Sequence, residues 1–148
     1  MLRNIIGNIV NWFLVAKPEP TPRDVVVQIG VHFEEVSEMV ASLKGNDRTT
    51  QSLLTAAMLA NHSLALHLKN EKNVKLDINP LEFLDACCDQ IVTATGSAVF
   101  FKQDLEGALG EVDRSNWSKF VDGKPVLNET GKIIKGPLYS PPNLNPFK

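Results

Sequence analysis

The chain has only two cysteines among its 148 residues, and they are the neighbours Cys87 and Cys88. Because adjacent residues on a helix point about 100° apart, an ordinary structural disulfide between these two is not expected. The pattern favours two small buried thiols in a reducing compartment. The sequence therefore predicts a cytoplasmic protein that is not held together by disulfides.

Excess charge and long apolar runs are also missing. The formal net charge is only −2, which gives no global reason to expect nucleic-acid binding. No segment is long enough to cross a membrane. Residues 1–16 are rich in apolar side chains, but Asn4, Gly7 and Asn11 interrupt them, and the apolar positions recur at helical spacing. We therefore expect an amphipathic first helix rather than a signal peptide.

The apolar periodicity predicts one all-α domain over residues 1–148, a bundle of about five helices that is long enough for a real core. A first helix and a proline-rich linker are expected within residues 1–21, and further helices at about 23–44, 49–69, 81–102 and 105–118. Residues 120–148 should form a small C-terminal β-hairpin and an extended tail. Val126-Leu127 and Ile133-Ile134 flank a glycine-containing turn, which places the predicted hairpin there.

Carboxylates cluster on the second predicted helix without basic neighbours. Residues 24–43 contain four acids and no Lys or Arg. Glu34, Glu35 and Glu38 share one face, because residues three and four apart on a helix are neighbours. Such carboxylates must be solvated, protonated or bound to cations. A solvated surface is the commonest case, but Val27 and Val31 on the same side argue against a purely polar face.

A second acidic stripe lies on the fourth predicted helix. Residues 76–101 contain four acids and no Lys, Arg or His, and Glu82, Asp85 and Asp89 follow helical steps on an otherwise apolar helix. A helix this apolar is expected in the centre of the bundle, with its acids facing the glutamates of the second helix. Four or five facing carboxylates suit Mg²⁺ or Mn²⁺, whereas no Cys/His spacing for zinc is present.

These motifs resemble those of the all-α nucleoside triphosphate pyrophosphohydrolase superfamily, which includes the MazG-like enzymes, the dimeric dUTPases and phosphoribosyl-ATP pyrophosphohydrolase. Its motif is Glu-Glu-x-x-Glu on one helix and Glu-x-x-Asp on a later one, here Glu34-Glu35-x-x-Glu38 and Glu82-x-x-Asp85. The run from Leu105 to Lys119 looks like the family's helix ending in Asn-x-Ser-Lys. The glycine- and proline-containing tail resembles bacteriophage and bacterial members. One departure is the longer gap between the two acidic motifs, which corresponds to residues 49–79.

The resemblance implies a role for each acidic residue. The implied metal ligands are Glu35, Glu38, Glu82 and Asp85, with Asp89 as an additional or supporting ligand and Glu34 as a further ligand or the group that orients the attacking water. It also implies that Asn116 and Lys119 lie near the substrate phosphates, with Arg114 as a weaker candidate. Lys132 and Lys135 could reach phosphate from the tail, although solvated tail lysines are the commoner case.

The function that the resemblance implies is hydrolysis of a nucleoside triphosphate to monophosphate and pyrophosphate with Mg²⁺ or Mn²⁺, in the cytoplasm, or in the host cytoplasm if a phage encodes the chain. Phosphoribosyl-ATP hydrolysis is a narrower alternative. The second alternative is a non-catalytic helical module that binds a nucleotide or a partner protein. Relatives form dimers or tetramers, so a homo-oligomer is expected, with no nucleic acid and no membrane as partner.

Overall fold

The helices of the computed structural model, which describes residues 4–128 and 133–148, match the predicted ones to within a few residues. They are α1 (Ile5–Ala16), α2 (Pro22–Ala41), α3 (Arg48–Asn70), α4 (Pro80–Phe100) and α5 (Leu105–Trp117). Two short strands, β1 (Phe120–Val121) and β2 (Lys124–Pro125), and a final 3₁₀ turn (Asn145–Phe147) follow. The predicted all-α class with a small C-terminal hairpin is confirmed. Among the described residues, no helix combines the length and apolar character needed to span a membrane.

Side-chain oxygens just ahead of each helix explain where the helices begin. Thr21 and Asp24 form a reciprocal capping box at the start of α2, with Pro22 in the first turn. Elsewhere a single side chain accepts a hydrogen bond from a first-turn N–H group, and these caps are Asn4, Asp47, Asn79 and Asp104. Because the first N–H groups of a helix have no partner within it, such caps set the helix ends from local sequence.

The contacts divide the chain into two compact units, residues 19–78 and residues 1–18 with 79–148. We name the first the hairpin unit, after the helical hairpin that α2 and α3 form, and the second the α5 unit. The single domain expected from the sequence stays a prediction.

In the hairpin unit, α2 and α3 pack against each other along their lengths. The buried positions are Val26, Gly30 and Ser37 on α2, and Ala65 and Leu68 on α3. At Gly30 the helices come so close that an added Cβ would lie 3.0 Å from the Leu68 Cβ and 3.2 Å from the Ala65 carbonyl oxygen.

Arg23 ties the start of α2 to the end of α3. Its guanidinium donates hydrogen bonds to the carbonyl oxygens of Leu68, Lys69 and Glu71 at 2.6 to 2.9 Å. The last carbonyls of a helix lack partners inside the helix, and a fixed cation also favours the negative end of the helix dipole. Arg23 therefore acts as a C-terminal cap of α3 supplied from another helix.

The core of the α5 unit is small and partly aromatic. In this unit α1 packs against α5 and β2, and Ile5, Ala16 and Phe120 are buried. The Trp12 ring lies 5.7 Å from the Phe120 ring, centroid to centroid. Phe120 also meets the Trp117 ring edge-on, with 5.1 Å between the ring centroids.

The C-terminal hairpin turns earlier than the sequence predicts. Its strands flank Asp122 and Gly123, which both have positive φ, as a two-residue turn between antiparallel strands requires. The predicted pairing of Val126-Leu127 with Ile133-Ile134 is present as one bridge, Leu127 with Ile133, and a 2.9 Å hydrogen bond from the Ile134 N–H to the Val126 carbonyl.

Two expectations about the core are wrong. None of the residues of α4 is buried, so this helix does not occupy the centre of a bundle. The apolar spacing of the third predicted helix also predicts Leu53 and Leu64 in the core, but Leu53 is 66% exposed and Leu64 is also exposed. The reason is that α3 turns only one narrow face, which carries Leu54, Met58, Ala65 and Leu68, towards α2. Apolar content alone overestimated how much of each helix is covered.

Candidate functional site

The three glutamates of α2 lie within about one turn, but they differ in their surroundings. Glu35 and Glu38 are exposed, and Glu34 is half-buried. The Lys69 Nζ donates a 2.6 Å hydrogen bond to Glu34 Oε1. The expectation that this cluster has no basic partner is therefore wrong for Glu34, since a cation 35 positions further along reaches it from α3.

The acids of α4 lie on an exposed helix face. Glu82, Asp85 and Asp89 are all exposed, and the Thr93 hydroxyl donates to the Asp89 carbonyl oxygen at 2.8 Å rather than to a carboxylate. Within the α5 unit this stripe is not shielded, because α4 buries none of its residues. That it faces the glutamates of α2, which lie in the hairpin unit, stays a prediction. Exposure leaves these carboxylates accessible to a cation from solution.

The predicted metal ligands fall in both units, with Glu34, Glu35 and Glu38 in the hairpin unit and Glu82, Asp85 and Asp89 in the α5 unit. Across residues 4–128 and 133–148, no three His, Cys, Asp or Glu side chains are close enough together to hold one metal ion. The donors are all carboxylate oxygens, the kind that Mg²⁺ and Mn²⁺ prefer. The donor chemistry therefore fits the predicted metal, and the complete ligand set stays a prediction.

Asn116 and Lys119 come together where α5 ends. The Lys119 Nζ donates a 2.9 Å hydrogen bond to Asn116 Oδ1 and lies 5.9 Å from the centre of the Trp12 ring. Both side chains are half-buried. An ammonium has three donors, so Lys119 can bind a phosphate oxygen while it keeps its bond to Asn116. Sequence reasoning named this pair, but it did not place Trp12 beside it.

Arg114 has a structural role that the sequence did not reveal. Its Nε and one terminal nitrogen bind the two carboxylate oxygens of Glu111 at 2.7 and 2.8 Å, and it donates to the Pro141 carbonyl at 3.1 Å. Glu111 also accepts a hydrogen bond from the Asn143 N–H. The Arg114 hydrogen bonds, followed by that of Asn143, lower the pKa of Glu111 to about 2. The structure thus uses Arg114 to hold the tail against α5.

Lys132 and Lys135 are the two tail lysines that could reach phosphate. Lys132 lies outside the described residues. The Lys135 Nζ lies 4.9 Å from the centre of the Tyr139 ring, a cation–π distance.

An apolar groove in the α5 unit was missed by the sequence reasoning. It has a volume of about 590 Å³, and its walls come from α1, α4, α5 and the α4–α5 connection. Its apolar lining includes Ile5, Ile6, Ile91, Val99, Leu105 and Leu109. No sequence signal marks it, because it depends on which face each helix turns towards the others.

Comparisons of this chain with protein-family models, with curated proteins and with solved structures find no match. The resemblance therefore rests on the short motifs themselves.

Proposed function

We propose that this protein is a metal-dependent nucleotide pyrophosphohydrolase that cleaves a nucleoside triphosphate to monophosphate and pyrophosphate. The observation that carries the proposal is the ordered acidic pair, Glu34-Glu35-x-x-Glu38 and Glu82-x-x-Asp85, each on a single turn of a long helix. Most of these carboxylates are exposed, so a divalent cation can reach them.

In this proposal Glu35, Glu38, Glu82 and Asp85 hold Mg²⁺ or Mn²⁺, and Asp89 supports them. The ion would supply neutralisation of the phosphates and activation of a water molecule. A triphosphate repels carboxylates, so these side chains cannot bind the substrate without such a cation. The carboxylates fix the position of the cation and therefore of the bound phosphates. Orientation and electrostatic stabilisation then lower the barrier to hydrolysis.

The remaining groups act on protons and phosphates. Glu34 orients the attacking water or adds a further ligand, and its bond to Lys69 would have to open for a direct ligand role. Water attacks the α-phosphorus, the bond from that phosphorus to the bridging oxygen breaks, and pyrophosphate leaves with that oxygen. Lys119 and Asn116 bind phosphate oxygens, and Arg114 is a third candidate for this role.

The test is turnover of a panel of canonical, deoxy and damaged nucleoside triphosphates with Mg²⁺ or Mn²⁺, with the products separated by chromatography. Monophosphate and pyrophosphate should appear with the wild type, and should be absent with EDTA and in Glu38→Gln. Glu19→Gln, which removes one exposed carboxylate of the same unit away from the motifs, is the matched control and should retain turnover. Equal activity in Glu38→Gln would refute the metal assignment. Turnover of phosphoribosyl-ATP alone would narrow the reaction to that substrate.

A non-catalytic binding module is the second candidate. Two observations favour it: no three candidate ligands are grouped within residues 4–128 and 133–148, and α4 leaves large apolar side chains exposed. Nucleotide binding by calorimetry, without metal binding and without turnover of any nucleotide, would support this candidate. In either case we propose a homo-oligomer that functions in the cytoplasm.

A further inference from the structure

The side of α4 that bears Leu81 is apolar and exposed over the whole length of the helix. Seven side chains lie within about 100° of its circumference at 100° per residue. One is the small polar Thr95, and we call the other six the α4 strip: Leu81, Leu84, Cys88, Ile91, Val92 and Val99. Leu81 is 79% exposed and Val92 is 68% exposed. Apolar side chains that are normally buried are therefore in contact with water along this helix.

The α4 strip is large enough to be an interface. The exposed parts of its side chains amount to roughly 600 Å², at the top of the range of about 300–600 Å² for the largest apolar patch on an ordinary monomer. One partner of a standard protein interface contributes about 800 Å². The strip alone therefore supplies most of that area, and a partner helix of the same length would cover it.

The two halves of α4 differ in the charge and size of their side chains, and this difference indicates which partner packs on the strip. The acids Glu82, Asp85 and Asp89 all lie in the first half of the helix, whereas residues 90–100 contain no charged side chain. The first half also carries the bulky Leu81 and Leu84.

We propose that the α4 strip is a homodimer interface, in which α4 of one copy packs antiparallel against α4 of a second copy. A two-fold axis requires a surface that complements itself. With the axis near residue 90, Leu81 of one copy lies opposite Val99 of the other, Leu84 beside Thr95, and Cys88 opposite Val92. The acidic half of each helix then adjoins the uncharged half of its partner, whereas a parallel pair would bring the six acids together.

The same arrangement gives the groove of the α5 unit an occupant. Ile91 and Val99 belong both to the α4 strip and to the wall of the groove. Leu81 and Leu84 of the second copy therefore lie at the mouth of the groove. This proposal specifies the surface of the homo-oligomer, and its tests measure mass and proximity, so they do not depend on whether the protein hydrolyses nucleotides.

The first test is sedimentation equilibrium of the wild type, Val92→Glu and Thr93→Glu. The wild type should have about twice the 16.3 kDa mass of one chain. Val92→Glu should sediment as a single chain, because it places a charge in the interface. Thr93→Glu adds the same charge on an exposed position that points about 100° away, and it should remain dimeric. Circular dichroism establishes that all three keep their helices.

The second test does not depend on a destabilising variant. In a Cys87→Ala/Cys88→Ala background, proteins with Leu81→Cys and with Val99→Cys are mixed and treated with a short bismaleimide. Antiparallel pairing predicts a covalent dimer in the mixture and little in either protein alone. A covalent dimer of Leu81→Cys with itself, at the yield of the mixture, would indicate parallel helices and overturn the proposal. So would a wild type that sediments as one chain, or a Val92→Glu variant that dimerises as well as Thr93→Glu.

Discussion

The ammonium of Lys69 lies 2.6 Å from Glu34 Oε1, with both side chains only partly exposed. The contact joins the last turn of α3 to the acidic motif of α2. It places a cation of the protein beside the proposed metal site, where Lys69 would compete with a metal ion for Glu34 Oε1 in the proposed role of Glu34 as a further ligand. The longer gap between the two motifs, which contains α3, thus has a direct electrostatic effect on the first motif.

Removing this competitor should strengthen metal binding. Lys69→Met is expected to lower the Mn²⁺ dissociation constant by about two- to fivefold, the effect of breaking a partly exposed ion pair worth up to about 1 kcal/mol. Isothermal titration calorimetry measures it. Lys72→Met removes the same charge from an exposed position of the same unit. An equal gain in both variants would show a general charge effect and contradict the specific role of Lys69.

Arg23 should contribute to the stability of the hairpin unit. Arg23→Met leaves the carbonyls of Leu68, Lys69 and Glu71 without their donor, and the loss of charge-assisted bonds should lower the free energy of unfolding by about 2 kcal/mol. Urea denaturation followed by circular dichroism measures the change. Arg48→Met, at an exposed residue of the first turn of α3, is the control and should stay within about 0.5 kcal/mol of the wild type. A similar loss in both variants would point to net charge rather than to the cap.

The close contact at Gly30 predicts that a side chain there is not tolerated. Gly30→Leu should lower the free energy of unfolding by about 1–3 kcal/mol, because the added atoms collide with Leu68 and with the α3 backbone. This loss outweighs the gain of roughly 0.5–1 kcal/mol from replacing a helical glycine. Gln28→Leu adds the same side chain on the exposed side of α2 and should be nearly neutral in a thermal melt. A stabilised Gly30→Leu would contradict the packing of these two helices.

The ion pair of Glu111 should make stability depend on pH in the acid range. The folded pKa of Glu111, about 2, lies below its ordinary value of 4.5, so the folded state binds this proton less readily than the unfolded chain does. The stabilisation is complete above about pH 4.5 and is lost as the pH falls towards 2.

The measurement is the midpoint of urea unfolding at several pH values, followed by tryptophan fluorescence. Glu111→Gln should lose less stability than the wild type between pH 4.5 and 2. Glu106→Gln, an exposed glutamate of the same helix, should follow the wild type. Identical acid profiles for all three proteins would show that Glu111 is not responsible.

Most of the fold could be predicted because its signals are local. Thr21, Asn79 and Asp104 precede their helices in the sequence and cap them in the structure. The Asp122-Gly123 turn carries an equally local signal, and reading it as a hairpin would have placed the strands correctly. These features extend over a few residues, which is the range that periodicity and capping rules describe.

The surroundings of the candidate site could not be predicted, because they depend on contacts between distant residues. The periodicity of α2 identified Glu34, Glu35 and Glu38 as neighbours, but not that Lys69 reaches one of them. The apolar composition of α4 suggested burial, but composition alone cannot distinguish a helix buried in its own chain from one that is exposed. The roles of Asn116 and Lys119 towards phosphate remain predictions from the resemblance.

The order of the two units along the chain has a consequence for protein synthesis. The hairpin unit is one continuous segment that ends at Ile78, whereas the α5 unit combines residues 1–18 with residues 79–148. Its final turn is joined to the start of α5 by a hydrogen bond from the Asp104 N–H to the Phe147 carbonyl. Because segments fold in the order in which they emerge, α2 and α3 can pair on the ribosome. The first helix must wait until α5 and β2, against which it packs, have been made.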